Sequence, residues 1–393
     1  MNIAIITTGI LPVPAVKGGA VETLTDFLIE YNEHHSAHKI TLYGIYDKRL
    51  DIIDFSSYKN TKFILINNSS YVFRIKRKLF GITHKKFYYN YFLDFFIKEI
   101  CKKIAKQNYD LIVVENRPGF ILQLKKVTTA KLCLHLHYDS LYKGAKFAEE
   151  ILNACDGIIT VSNYIKKRVC TIDNKYDKVK VVYNGIDLDK FRAGIGLCCS
   201  REQFGIDKKD FVIIYCGRIE PIKGVRELIM AFASIEAYSD MKLLIVGGSS
   251  NLDSSRDTYL QNIQAVAKPL ANRVIFAGFQ PYSSIPSILK LCDISVIPSI
   301  CEEALPLSAI ESLASGLPLI ITKSGGMPEI VNDECAIIIE KNNNLVNNLA
   351  NAIVSLYHDK EKRLKMSESA VKQANKFEKN SFASEFFKTL REF

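Results

Sequence analysis

Short runs of β-branched and apolar residues alternate along this chain with longer stretches in which apolar residues recur every three or four positions. In the first half the strand-like runs fall at Asn2–Thr7, Lys39–Ile45, Lys62–Ile66, Asp110–Val114, Lys131–Leu136, Gly157–Val161 and Val179–Tyr183. Helical stretches follow most of them, as at Ala20–Tyr31 and Tyr91–Lys106. A polar, Gly-punctuated segment, NGIDLDKFRAGIG, interrupts the pattern near 184–200. The alternation then restarts, with strands predicted at Phe211–Cys216, Lys242–Val246, Arg273–Ala277, Ile294–Pro298, Leu317–Thr322 and Ala336–Ile339. Between the first two of these, Val225, Leu228, Ile229, Phe232 and Ile235 share the spacing of one buried helix face. The end of the chain reads as helices at Asn347–Tyr357, Lys360–Gln373 and Ser381–Arg391. Strands alternating with helices predict parallel sheets. The fold class is therefore α/β, with two doubly wound Rossmann-like domains facing across a cleft that holds the ligand.

Length and composition agree with this picture. At about 100–200 residues per domain, 393 residues suggest two domains. With 48% hydrophobic and 24% charged residues, a disordered or fibrous chain is excluded. No stretch approaches the ~18 uninterrupted apolar residues of a membrane-spanning helix. The opening MNIAIITTGILPVP lacks a basic lead and reads as a strand entering a loop, not as a signal peptide. Ten cysteines form no CxxC pair, which points to a reducing cytosol rather than a disulfide framework or zinc.

The net charge of +10 becomes informative when divided. Up to Gly185 there are 28 basic against 17 acidic residues, a net of +11; from Ile186 onward there are 24 against 25, a net of −1. Such asymmetry points to an anionic partner for the first half. Residues Arg74–Lys103 concentrate it, with nine basic residues (Arg74, Lys76, Arg77, Lys78, Lys85, Lys86, Lys98, Lys102, Lys103) against Asp94 and Glu99. Nine aromatics interleave with them: Phe73, Phe80, Phe87, Tyr88, Tyr89, Tyr91, Phe92, Phe95 and Phe96. Basic and aromatic residues together suit an anionic membrane surface. A solvated basic face over a core helix is the plainer alternative. No nucleic-acid-binding motif is present.

Four segments carry candidate chemistry, each after a predicted strand. Lys17-Gly18-Gly19-Ala20 opens a helix, where backbone N–H groups can approach a phosphate. It lacks the GxGxxG of a dinucleotide site and alone reads as an ordinary strand-to-helix turn. Cys216-Gly217-Arg218-Ile219-Glu220-Pro221-Ile222-Lys223-Gly224 places two cations beside a helix start, an arrangement that suits a diphosphate leaving group without a metal. In Glu302-Glu303-Ala304-Leu305-Pro306-Leu307-Ser308-Ala309-Ile310-Glu311, Pro306 fits a first-turn helix position, with Glu303 in the loop ahead and Glu311 inside the helix. A carboxylate on a mostly apolar helix needs a hydrogen-bonding partner, which sugar or ribose hydroxyls would supply. In Leu134-His135-Leu136-His137, alternation puts both imidazoles on one side of a strand, yet no third metal ligand is evident nearby. Asp187-Leu188-Asp189 has the spacing of a metal-binding DxD, but after Asn184-Gly185 it reads as turn and helix-cap chemistry. No metal site is expected.

Together these segments resemble the retaining glycosyltransferases of family 4, with the GT-B fold. The resemblance covers nearly the whole chain: the Gly-Gly loop, VxNGID at Val182–Asp187, GRIEPIKG at 217–224, the Glu303 and Glu311 spacing, Ser324-Gly325-Gly326-x-Pro328-Glu329-Ile330-Val331 and the terminal helices. It implies an acceptor-binding domain at 1–185, a nucleotide-sugar-binding domain at 186–375, and a last helical segment, 376–393, packing back on the first domain. It further implies that Gly18 and Gly19 approach the diphosphate or the acceptor, and that Arg218 and Lys223 hold the diphosphate. Glu303 would meet donor-sugar hydroxyls, the backbone of Ala304, Leu305, Pro306 and Leu307 sugar and phosphate, and Glu311 the ribose. His137 would lie next to the reacting sugar, and Phe279 or Gln280 near the base. Many members carry Phe-Gly where this chain has Leu305-Pro306, so the donor is not assigned by analogy.

The implied reaction moves a sugar from a nucleoside-diphosphate sugar, with retention and without metal or cofactor, to a glycan or polyprenyl-linked acceptor of a bacterial surface polysaccharide. The implied location is cytoplasmic, peripheral at the inner face of the membrane. Two rivals stand beside it. A sugar-nucleotide epimerase or a phosphorylase would keep the fold, although no pyridoxal lysine context is identifiable. A catalytically silent module would support a partner transferase, although Arg218, Lys223, Glu303 and Glu311 are all present.

Overall fold

A computed structural model describes residues 1–67, 91–174, 177–192, 199–248, 258–270 and 272–393. The chain forms two compact units, one of Met1–Gly185 with Lys379–Phe393 and the other of Ile186–Glu378.

In the first unit seven strands, β1 (Asn2–Ile6), β2 (Lys39–Ile45), β3 (Thr61–Ile66), β4 (Leu111–Glu115), β5 (Lys131–Leu136), β6 (Gly157–Thr160) and β7 (Val179–Val181), form one sheet. Its order is β3-β2-β1-β4-β5-β6-β7, and every pairing is parallel. The chain winds outward from β1 to β3, then crosses back to β4. The reversal leaves a crevice at the carboxyl ends of β1 and β4, where open α/β sheets bind ligands. β1 and β4 are buried along nearly their whole length, as expected for strands covered on both faces.

The helix Ala20–His35 follows β1 and buries Leu24, Phe27 and Leu28. The helix Lys379–Leu390, from the far end of the chain, adds Phe382, Ala383, Phe386, Phe387 and Leu390 to the same core. Lys379 pairs with Glu30 at 3.0 Å, and Phe387 stacks on Tyr31 at 6.1 Å. Thus the last turns of sequence complete the first unit's core.

The second unit repeats the plan with β8 (Phe211–Cys216), β9 (Met241–Val246), β10 (Val274–Gly278), β11 (Ile294–Ile297), β12 (Leu319–Thr322) and β13 (Ala336–Ile339). All pairings are again parallel, in the order β10-β9-β8-β11-β12-β13, with the reversal between β8 and β11. The helix Val225–Ala233 buries Val225, Leu228, Ile229 and Phe232 as the spacing predicts, and ends two residues before Ile235.

Of the basic, aromatic segment, Phe73 to Tyr89 lies outside the described residues. The remainder belongs to the helix Tyr91–Ile104, which buries Leu93, Phe96, Ile97 and Ile100. Lys98, half exposed, pairs with the buried Asp94 at 2.7 Å, and Lys102 with Glu99 at 2.6 Å. Phe96 is thus a core residue and not a surface aromatic. Among the described residues no helix is long and apolar enough to cross a membrane. The nine described cysteines are free thiols; Cys198 lies outside the described residues.

Candidate functional site

In the second unit the site assembles where β8, β11 and β12 end. Gly224 has φ +71, and a Cβ there would overlap the carbonyl oxygen of Pro298. Glycine is therefore required by both conformation and space. That close approach fixes the turn carrying Lys223 against the exit of β11. Lys223 Nζ lies 2.6 Å from Glu303 Oε1, and the Ser299 hydroxyl donates to the same oxygen at 2.6 Å.

The backbone of Glu303 is held just as firmly. Its carbonyl accepts from Gly326 N–H at 2.7 Å, and its N–H donates to Ser324 Oγ at 3.2 Å. Gly325, at φ +49, leaves no room for a Cβ beside that carbonyl. The Ser324-Gly325-Gly326 motif is therefore the mould for Glu303. The motif's spacing alone does not reveal this contact, because its partner lies some twenty residues away.

Other predicted residues take different places. Arg218 does not join Lys223: its side chain is 51% exposed and pairs with Glu220 at 3.0 Å. Ala304 and Leu305 are buried, while Pro306 and Leu307 are half-buried at the start of the helix Leu307–Ala314. Pro306 caps that helix instead of occupying its first turn, because its ψ of 126 is extended. Glu311, one turn in, is buried, and the Tyr282 hydroxyl is hydrogen-bonded to it. Desolvation pushes its pKa from 4.5 up to about 7 despite that bond. Phe279, at the exit of β10, is 77% exposed, whereas the Gln280 amide donates to the Ala277 carbonyl at 2.6 Å. Tyr282, the partner of Glu311, is a candidate that the sequence analysis missed; its only signal is its place just after Phe279-Gln280.

In the first unit Gly18 (φ +70) and Gly19 (φ +108) both adopt conformations that favour glycine. Space around Gly18 is open, whereas a Cβ on Gly19 would strike the carboxylate of Glu22. Glu22 is buried and accepts from the Thr8 hydroxyl at 2.7 Å, and desolvation raises its pKa. Lys17 is paired with Asp47.

Around His137 the structure corrects one expectation. The sequence suggested no third group near the His135 and His137 pair, but β4 runs one residue further than predicted and ends on Glu115. Glu115 stands opposite His135 in the β4–β5 register. Its Oε2 lies 3.0 Å from His135 Nδ1 and 2.8 Å from His137 Nε2. The signal was present as a charged residue closing the apolar run LIVVE. All three are buried, with one polar atom of each within 4.8 Å of the others, a spacing that a divalent ion could use. Hydrogen bonds alone account for the two short N···O distances. Burial works to raise the Glu115 pKa, but the two imidazoles outweigh it and hold the group at about 2. Desolvation lowers His137 to about 4. Asp187 caps the helix Leu188–Arg192, accepting from Lys190 N–H at 3.4 Å, as expected for helix-cap chemistry.

Comparison with known proteins decides the family. Residues 200–373 match the family described as glycosyl transferases group 1, and residues 55–190 match Glycosyltransferase Family 4. The chain is a family 4 glycosyltransferase.

Bacillus subtilis YtcC, which carries the name of a glycosyltransferase, is 29% identical to this transferase over 384 residues, 95% of this chain and 87% of its own. A Salmonella typhimurium lipopolysaccharide 1,2-N-acetylglucosaminetransferase is 27% identical over 242 residues, 60% of this chain and 61% of its own. Among solved structures, Anabaena HepE in complex with UDP-glucose superimposes with a TM-score of 0.76 at 19% identity, covering 100% of both chains. At that identity the likeness concerns the GT-B fold. The transferase thus has two parallel-sheet α/β units in the GT-B family of folds.

Proposed function

We propose that this transferase moves a sugar, with retention and without a metal ion, from a nucleoside-diphosphate sugar to a glycan or polyprenyl-linked acceptor of a surface polysaccharide. The observation that carries the proposal is the Lys223–Glu303 pair, held by Ser299 and the Ser324-Gly325-Gly326 mould. An ion pair of this kind can open in favour of a ligand. Donor-sugar hydroxyls would take over Glu303, and Lys223 would turn to the diphosphate, joined by the half-exposed Arg218. The N-terminal end of Leu307–Ala314 adds positive potential for the same phosphates. Glu311 would accept from ribose hydroxyls, and the exposed ring of Phe279 offers a face for the base.

In the proposed reaction the acceptor oxygen attacks the anomeric carbon from the side of the departing diphosphate. The carbon–phosphate-oxygen bond breaks, and that oxygen takes the acceptor's proton. The products are the glycoside and a nucleoside diphosphate. Lys223 and Arg218 stabilise the charge that develops on the leaving group, so no Lewis acid is required. The lipopolysaccharide transferase supports a role in surface glycans by its name, and UDP-glucose bound to HepE supports the donor class. The excess basic charge of the first half supports peripheral attachment at the inner, cytoplasmic membrane face.

A thermal-shift screen against UDP, GDP, ADP, CMP and dTDP with EDTA present tests this reading. A ligand at ~100 times its Kd stabilises by about 2.7 kcal/mol. One clear hit supports the metal-free site; a hit that requires Mn²⁺ overturns it. Co-sedimentation with anionic vesicles at low salt tests attachment, and no binding would end that part.

A further inference from the structure

A buried parallel sheet ordinarily excludes carboxylates, yet β4 ends on one that is 1% exposed. A buried carboxylate without partners is strongly disfavoured, and two imidazoles supply partners to Glu115. The register sets His135 beside Glu115, and the period of two brings His137 to the same face. The two rings lie 4.1 Å apart and share one carboxylate oxygen.

Proton positions follow from the partners. His135 Nε2 is buried and has no partner. A bare lone pair there is tolerable, whereas a stranded N–H would bear a desolvation penalty. The His135 ring therefore turns its Nδ1–H toward Glu115. The same carboxylate takes the proton of His137 Nε2, which leaves His137 Nδ1 bare. The backbone is held from the same strand end. Asn116, in the left-handed region at φ 53, accepts the His137 N–H on its Oδ1 at 3.2 Å. Two consecutive residues thus clamp both the ring and the main chain of His137.

We propose that Glu115 is a positioning residue that locks His137 in the tautomer whose free ring nitrogen, Nδ1, accepts a hydrogen bond from a sugar hydroxyl. A bare nitrogen beside a carboxylate suits a hydroxyl donor and disfavours phosphate. The assignment rests on the proposed placement of His137 next to the reacting sugar.

The test uses full-length protein with ¹⁵N-labelled histidine, read by long-range ¹H–¹⁵N correlation, with His137 assigned by its loss in His137→Gln. Wild-type His137 is expected to show a protonated Nε2 and a bare Nδ1; a protonated Nδ1 overturns the proposal even if Glu115→Gln does not fold. In Glu115→Gln the His137 shifts should move to tautomer-averaged values. Its kcat should fall roughly ten- to hundredfold with the donor KM little changed. A melting temperature measured alongside separates misfolding from loss of positioning. An unchanged tautomer with unchanged kcat overturns the proposal, as does a stoichiometric divalent ion retained by wild type and lost in Glu115→Gln. If His137→Gln leaves kcat intact while Glu115→Gln still alters the tautomer, the placement of His137 fails and the positioning stands.

Discussion

The two units share a plan and differ in what they place at its functional edge. Each winds a parallel sheet outward, reverses once and leaves a crevice at the carboxyl ends of its central strands. In the first unit the polar groups there are buried and bonded to one another, Thr8 to Glu22 and both imidazoles to Glu115. In the second unit they are partly open, from the Lys223–Glu303 pair to the half-exposed Arg218 and the bare face of Phe279. A buried network bonded within itself holds one geometry, while a part-buried ion pair can be traded for a charged ligand. The same topology thus supports a preset edge in one unit and an exchangeable one in the other.

That contrast can be broken most sharply at Glu303. Glu303→Gln should lower transferase activity by roughly a hundredfold or more, because the lost contacts are those that orient the donor sugar. Nucleoside diphosphate affinity should hold or improve, since Lys223 is released. Steady-state rates with calorimetric titration check both, and an activity within threefold of wild type would remove Glu303 from the site.

Next come the glycines beneath each edge. Gly224→Ala must relieve both a left-handed backbone and an overlap with Pro298, so a loss of about 2–4 kcal/mol is expected. Gly18→Ala meets open space and bears only the backbone term, about 1 kcal/mol. Chemical denaturation of the two variants measures the difference; equal losses would contradict the tight turn at Gly224.

Acidity sharpens the comparison further. Glu311 titrates at about 7 in the fold against an ordinary 4.5, so the folded unit retains a proton that the unfolded chain releases between those values. Stability of the unliganded protein should therefore fall as pH rises from about 4.5 through 7. Nucleotide binding should run the other way, because ribose hydroxyls need the carboxylate. Affinity is expected to strengthen about tenfold from pH 6 to pH 8, and to lose that dependence in Glu311→Gln. A flat titration curve in wild type would detach Glu311 from the ribose.

The smallest effect is expected at Phe279. Its exposed ring contributes little to the fold, so Phe279→Ala should change stability by less than about 0.5 kcal/mol. Loss of a stacking face should weaken nucleotide binding about fivefold, in line with the ~1 kcal/mol of an aromatic contact. Unchanged affinity would move the base elsewhere.

How far the site was legible depended on how local its cause was. Lys223, Glu303 and Glu311 stood out because each is a charge set in a turn or helix whose neighbours are small or apolar. Arg218 looked equivalent to Lys223, yet it turned to Glu220, since a long side chain two residues from a carboxylate has a near partner that spacing does not rank. Glu115 escaped because the predicted strand ended at Val114. One further residue of β4 converts a loop charge into a buried partner of two histidines some twenty positions away. The helix Tyr91–Ile104 shows the same limit, as its aromatic residues divide between buried and half-buried positions by rotation about the helix axis.

By itself the sequence determined the alternation of strands and helices, the restart of the pattern after Gly185, and the residue types at each strand exit. Those follow from hydrophobic period and turn chemistry, which act over a few residues. Only the tertiary structure decided that Ser324-Gly325-Gly326 moulds Glu303 and that Glu115 clamps His137. Each joins segments distant in sequence. Their pairing depends on strand order and close packing, which no local pattern encodes.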